Sequence, residues 1–224
     1  MAMSWPEICG RRLVRHGLTA TWRPADPATA AAAMCGAHAQ VMSAVEVSIG
    51  LRTPGLTRAD VRAALWTDQS LVKTFGPRGT IHLLPATDLG LWCGALGGLP
   101  LPRRAAPAIR LTLDQTDELV AAIATILLEG ELTVDELTEA LGDRVGAWAV
   151  EPVMPAFQTM WPRWRLVTDV AAHRGALCFG PDRGRRVTYT NPARWLPGFE
   201  VASTEEGAAW LLERYLCLAF RKLK

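Results

Sequence analysis

The chain has 224 residues, half of them hydrophobic and 21% charged, with a net charge of +2 at pH 7. That composition excludes a disordered or fibrous protein, leaves room for one large domain or two small ones, and gives no overall basic signature. The five cysteines (Cys9, Cys35, Cys93, Cys178 and Cys217) are odd in number and form no CxxC pair, which argues against a zinc centre or a disulfide scaffold and for a reducing compartment. No metal or cofactor is expected. Residues Met1 to Gly10 lack the apolar core of a signal peptide, and no apolar run approaches a membrane span. A cytoplasmic protein without a membrane partner is therefore expected. Lys73, Lys222 and Lys224 are the only lysines, every other cation being arginine. GC-rich coding and phosphate contacts by guanidinium both account for that skew, and composition leaves the two open.

In chain order, the first signal is an alanine-rich run. Ala28 to Met34 reads as a helix by propensity, and Gly36 is a natural helix stop. The stretch Gly36-Ala37-His38-Ala39-Gln40-Val41-Met42-Ser43-Ala44 then sets two polar side chains, His38 and Gln40, in an apolar context. On a regular helix residues i and i+2 lie about 200° apart, whereas in an extended segment they share a face. If His38 and Gln40 serve one ligand, the backbone from Gly36 to Gln40 must be extended. The plain alternative is a partly exposed His and Gln satisfied by nearby backbone groups. A helix is expected to follow, through Val41, Val45 and Ser48 towards Leu51.

Two later blocks repeat one order of elements. In the first, Thr57-Arg58-Ala59-Asp60 resembles a capping box and opens a helix through Val61, Leu65 and Trp66. Leu71 to Phe75 reads as a strand, Gly76-Pro77-Arg78-Gly79 as a turn, and Thr80 to Leu84 as a second strand. Residues 99–108, rich in proline and arginine, read as a linker, and Asp114 to Glu129 is an amphipathic helix with Leu119, Ala122, Ile123, Ile126 and Leu127 at helical spacing. In the second block the capping box Thr133-Val134-Asp135-Glu136 opens a helix through Leu137 and Leu141. A longer helix is expected over roughly Trp148 to Met160, ended or kinked by Pro152 and Pro155. Arg174 to Gly180 leads into a turn at Pro181-Asp182-Arg183-Gly184, and a strand returns over Arg185 to Thr190. A third start signal stands at Ser203-Thr204, ahead of Ala208, Leu211, Leu212 and Leu216.

Helix, helix, hairpin is the order of a winged helix, a helix-turn-helix relative whose wing is the hairpin. The expected fold is mainly α with small β-hairpins, an α+β class of tandem winged-helix units. Residues 1–100 form the first unit with the His38-Ala39-Gln40 motif, 101–200 the second with a basic hairpin, and 201–224 the start of a third. Most of the nine tryptophans, spread from Trp5 to Trp210, are expected in packing.

Several pieces together resemble the AlkZ/YcaQ-like winged-helix DNA glycosylases, which remove alkylated purines and unhook interstrand crosslinks. They are His38-Ala39-Gln40, Leu71-Val72-Lys73-Thr74 with Arg78-Gly79-Thr80-Ile81-His82-Leu83-Leu84-Pro85, and Cys178-Phe179-Gly180-Pro181 with Arg183-Gly184 and Trp195-Leu196-Pro197. The family signature is Gln, an apolar residue, then Gln; here the second Gln is matched by Gln40, and His38 replaces the first. The resemblance runs from about Leu13 to Tyr215. It implies three tandem winged helices followed by a β-barrel, so that the chain is expected to be truncated, Cys217 to Lys224 not reading like the family's continuation.

The resemblance implies hydrolysis of the N-glycosidic bond of an N7-alkylated purine in double-stranded DNA, with no tight flipped-base pocket; a monomer is expected. An N7-alkylated purine is already a cationic leaving group, so the enzyme needs only to position a water and stabilise the oxocarbenium-like sugar. Gln40 both accepts and donates hydrogen bonds, and His38, if neutral, accepts from the same water and acts as general base. A protonated His38 would repel the cationic lesion. DNA contacts are expected from Arg52, Thr53, Lys73, Arg78, Arg183, Arg185 and Arg186. For each alone, a solvated surface position is the plain alternative, but three arginines at one hairpin tip repel unless a polyanion is near. His82 and His173 are expected to be structural. The competing reading is a non-enzymatic winged-helix DNA-binding protein such as a transcriptional regulator, which would prefer one DNA sequence.

Overall fold

The computed structural model describes residues 3–19, 24–100, 105–156 and 159–219. Helix α1 (Trp5–Arg15) starts at Ser4, whose backbone N–H donates to Glu7 at 2.7 Å, and buries none of its residues. Helix α2 (Pro27–Ala33) is the alanine run; Asp26 caps it by accepting from the Thr29 N–H at 2.8 Å. Strand β1 (Ala37–His38), helix α3 (Met42–Gly50), helix α4 (Arg58–Trp66) and the hairpin β2 (Leu71–Phe75) and β3 (Ile81–Pro85) follow. The strands form an antiparallel sheet in the order β1-β3-β2. Ala30, Ala31, Val45, Ile49, Val61, Leu65, Leu71 and Leu83 close a core between this sheet and the three helices. Helix, strand, helix, helix, hairpin, with the short first strand on the second wing strand, is a winged helix.

Helix α5 (Leu89–Gly97) leaves this unit. The second unit repeats the order: α6 (Leu113–Glu129), β4 (Leu132–Thr133), α7 (Val134–Val145), α8 (Ala147–Val150), a hairpin β5 (Pro152–Pro155) and β6 (Met160–Pro162), α9 (Thr168–His173), then β7 (Cys178–Arg183) and β8 (Arg186–Thr190). Its sheet order, β4-β8-β7, matches that of the first unit. Leu119, Ile123, Leu127, Leu137, Leu141, Trp164 and Tyr189 are its buried centre. The capping boxes lie where the sequence puts them. Asp60 accepts from the Thr57 N–H at 2.6 Å, and Glu136 accepts from the Thr133 N–H at 2.7 Å. At the third start signal Glu206 accepts from the Ser203 N–H at 3.0 Å, and α10 (Thr204–Ala219) begins there.

One expected element is corrected. The helix over Trp148 to Met160 stops at Val150, and Pro152–Pro155 pairs antiparallel with Met160–Pro162 instead. Prolines at 152, 155 and 162 remove the amide donors a helix needs and fix φ at values that suit edge strands. Residues 101–104 of the expected linker, residues 157–158 of this hairpin and residues 220–224 lie outside the described residues.

Helix α10 folds back onto α5 rather than standing apart. A Cβ on Gly207 would lie 2.3 Å from the Ala95 amide nitrogen, and one on Gly94 2.6 Å from the Ala202 carbonyl oxygen, so glycine lets α5 meet α10 and the segment leading into it backbone to backbone. Trp92 and Trp210 meet edge to face at 5.6 Å in the same cluster, which also takes Val72 and Leu84 from the first wing and Cys178 from β7. The first wing is thus shared packing for both units. Among the described residues no helix is long and apolar enough to cross a membrane.

Candidate active site and nucleic-acid surface

The approach to the motif is a tight reversal. At the end of α2 the Cys35 N–H donates to Ala32 O at 3.0 Å and the Gly36 N–H to Ala31 O at 3.0 Å, a Schellman closure. Its left-handed residue is Cys35, at φ 56°, and Gly36 follows at φ 90°. A Cβ on Gly36 would sit 2.8 Å from Leu84 Cδ2. Both the dihedral and the space demand glycine there, and the turn delivers the chain onto the edge of β3 in extended form.

Extended backbone sorts the motif by alternation. Ala37 and Ala39 are 2% and 1% exposed and enter the core, while His38 and Gln40 are exposed on the opposite face. Register places His38 opposite His82, and His82 opposite Thr74, so that a polar row His38–His82–Thr74 crosses the sheet. The Ala39 N–H donates to Ile81 O at 2.7 Å, and the Ile81 N–H points at Gln40 Oε1 at 3.4 Å. The Gln40 side chain thus stands where a further backbone carbonyl would continue the ladder. This long bond orients the amide oxygen inward, leaves it a second lone pair, and leaves its NH2 as a donor.

His82 stands directly against His38, although its place in an apolar strand gives no sign of that. The His38 and His82 rings meet edge to face, centroids 5.4 Å apart and planes at 80°. His82 is 7% exposed, and its Nδ1 lies 2.9 Å from Thr80 O, which makes Nδ1 the protonated nitrogen of the neutral ring. Burial pushes its pKa below the ordinary imidazole value; the Thr80 carbonyl opposes this, and the nearby His38 and Arg78 charges add to the lowering. His173, on α9, reaches across with Nε2 3.3 Å from Gly76 O, tying the second unit to the first wing's turn.

The seven residues expected to contact DNA fall into three groups. Thr53 and Lys73 are buried. Thr53 donates to Ile49 O at 2.6 Å, and the Lys73 ammonium stands 4.8 Å from the centre of the Phe179 ring, where burial lowers its pKa. Arg52 and Arg183 serve the protein's own structure. Arg52 donates to His16 O at 2.8 Å and Ser48 O at 2.7 Å; Arg183 pairs with Glu136 at 2.9 Å and also donates to Glu131 O. Arg78, Arg185 and Arg186 are exposed at the two hairpin turns. Arg78 holds a left-handed backbone at φ 64°, and Arg185 follows Gly184 at φ 67°. The Arg183 pair with Glu136 reduces the mutual repulsion expected at the second tip.

Three further features are not legible in the sequence. Glu46, 6% exposed on α3, is neutralised by the Arg62 Nε at 2.7 Å; the pairing joins α3 and α4 across 16 positions and carries no local signal. The hairpin β5–β6 presents Trp161 with the Arg165 guanidinium 4.2 Å from its ring centre. Strands β1 and β4 are two residues each, too short for any periodicity to register. Among the described residues no group of three or more His, Cys, Asp or Glu is placed to hold a metal ion.

Comparison with known proteins extends these observations. Residues 31–218 match the family model described as DNA glycosylase AlkZ-like. The chain is 31% identical over 225 residues to an interstrand DNA cross-link repair glycosylase of Streptomyces sahachiroi, covering 96% of this chain and 57% of that protein. The solved structure of the Streptomyces sahachiroi DNA glycosylase AlkZ is similar with a TM-score of 0.75 at 30% identity, again over 96% of this chain and 57% of that one. The chain therefore spans a little over half the length of the relative it matches.

Proposed function

The chain belongs to the AlkZ-like DNA glycosylase family, and from that membership we propose that it hydrolyses the N-glycosidic bond of N7-alkylated purines in duplex DNA, including those that form interstrand crosslinks. The observation that carries the reading is that His38, on β1, and Gln40, two residues on and just past the strand's end, are both exposed while Ala37 and Ala39, before and between them, are buried. Two groups able to accept from one water stand on one side of a rigid edge, with the cationic turns of two wings in the same molecule. Both side chains come from one short segment of one chain, so the proposal calls for no second copy and takes a monomer as the working form.

The chemistry follows from the substrate. The alkylated base leaves as a neutral purine, so no acid is needed to protonate it. Positive charge develops on the deoxyribose as the bond to N9 lengthens. Neutral His38 accepts a proton from the attacking water while the Gln40 oxygen orients it, and a new C1′–O bond replaces the C1′–N9 bond. The His82 ring, buried and disposed to stay neutral, adds no positive charge beside the developing cation. On the DNA side, Arg78, Arg185 and Arg186 contact phosphates without reading sequence, which suits an enzyme that searches for lesions. We further propose residues 1–100 and 101–200 as the two winged-helix units and α10 as the opening helix of a third.

The test is release of free base from a duplex bearing one N7-methylguanine, together with binding to unmodified duplexes of unrelated sequence. The proposal expects base release and near-equal, salt-sensitive affinities. Tight preference for one sequence without release would favour a regulator.

A further inference from the structure

We propose that His82 is a positioning residue of the reaction: its fixed imidazole is the surface against which His38 is set beside Gln40. The inference rests on the glycosylase reading above and names a residue that reading does not require. Three observations carry it. First, backbone register makes His38 and His82 direct cross-strand partners on the same face of the sheet, and their rings are in edge-to-face contact at 5.4 Å. Second, His82 itself has almost no freedom. Its Nδ1 is anchored on Thr80 O at 2.9 Å, and a Cβ on Gly76 would lie 2.7 Å from that same Nδ1, so the backbone of the turn lies directly against the ring. A Cβ on Gly36 would lie 3.5 Å from His82 Cδ2, which brings the reversal before the motif against the other edge. Third, the arrangement costs little elsewhere. Thr80 O also accepts from the Gly76 N–H at 2.9 Å, so it does not depend on His82 for its hydrogen bond.

An exposed histidine on an edge strand would otherwise sample several rotamers. A buried ring, held at one edge by a carbonyl and hemmed by two glycines, gives it one preferred orientation. The charged and titratable groups around His82 are His38 on β1, Arg78 in the turn, and His173 on α9 through Gly76. His38 is the one in ring contact. His82 has no role as an acid or base here; it acts through His38.

The experiment uses the full chain and single-turnover base release from the N7-methylguanine duplex. His82→Ala is expected to lower the saturating single-turnover rate constant by roughly tenfold to a hundredfold with the half-saturating protein concentration nearly unchanged, the scale on which a misplaced catalytic group acts. In a His38→Ala background the same change should alter that rate constant by no more than about twofold, since a partner already removed cannot be misplaced. His82→Phe keeps a ring against His38 and should restore most of the rate. Equal losses in both backgrounds, or no loss in the parent, would overturn the proposal. A direct readout stands beside activity: in ring-labelled protein the His38 and His82 imidazole protons should cross-relax, and absence of that cross-relaxation also overturns it. If the parent releases no base while the rings are in contact, the glycosylase reading fails and the pairing of the two rings stands.

Discussion

His82 lies in ring contact with His38, and Gly36 packs against Leu84 and His82; each makes a prediction of its own. His82 has an ordinary value of 6.5 and is held lower in the folded protein, so the folded state binds its proton less readily than the unfolded chain. Stability is then fully present above the unfolded value and falls as pH drops below it, until the folded pKa is reached. Thermal melts from about pH 7.5 to about pH 5.5 should show a loss of Tm in the parent that is reduced in His82→Phe. An equal loss in both would locate the sensitivity elsewhere. Gly36→Ala forces a side chain into φ 90° with 2.8 Å to Leu84 Cδ2. A cost of about 1–3 kcal/mol is expected, read as a lower denaturation midpoint. At Cys35, already left-handed at φ 56°, exchange for glycine should stabilise or be neutral by the same measure.

At the level of elements, the wings divide their arginines between structure and solvent. Arg183 is tied to Glu136, whereas Arg185 and Arg186 face outward past Gly184. Replacing Arg185 and Arg186 by alanine should weaken binding to any duplex alike, and should reduce the slope of log affinity against log salt by about one for each phosphate no longer neutralised. An unchanged slope would remove the second wing from the interface. The helices themselves are legible because their signals are local: Thr57 with Asp60, Thr133 with Glu136 and Ser203 with Glu206 each announce a start within four residues. The hairpin β5–β6 is not, because Trp148 to Met160 looks apolar enough for a helix, in which prolines read as kinks and not as strand edges. Strands β1 and β4 are defined by partners far along the chain, at Leu83 and Tyr189, and nothing within two residues encodes that. The same holds for His82. Its contact with His38 depends on register, and its own neighbours, Ile81 and Leu83, say only that it lies in a strand.

Across the whole molecule, the two units are joined through the first wing, and the shared packing has a chemical signature. Cys93 on α5 and Cys178 on β7 are both buried in that junction; burial pushes the Cys93 thiol up to about 12 and raises Cys178 as well. Cys9 and Cys217 are exposed. A thiol reagent at mildly alkaline pH should label Cys9 and Cys217 quickly and leave Cys93 and Cys178 untouched until the chain unfolds, read by mass spectrometry of the digested protein. Early labelling of Cys178 would mean that the junction opens in the native state. Beside that junction Gly76 of the first turn receives His173 from the second unit, so the wall behind His82 is built by both.

The central claim is that His38 on β1 and Gln40 just past its end, both exposed, carry the hydrolysis. Single-turnover base release from the N7-methylguanine duplex, compared among the parent, His38→Ala and Gln40→Ala at equal DNA occupancy, tests it most directly. The account predicts that each variant binds the duplex as the parent does and loses about a hundredfold or more in rate, the usual worth of a group that activates the attacking water. Release at the parent's rate by either variant, with the fold intact, would contradict it.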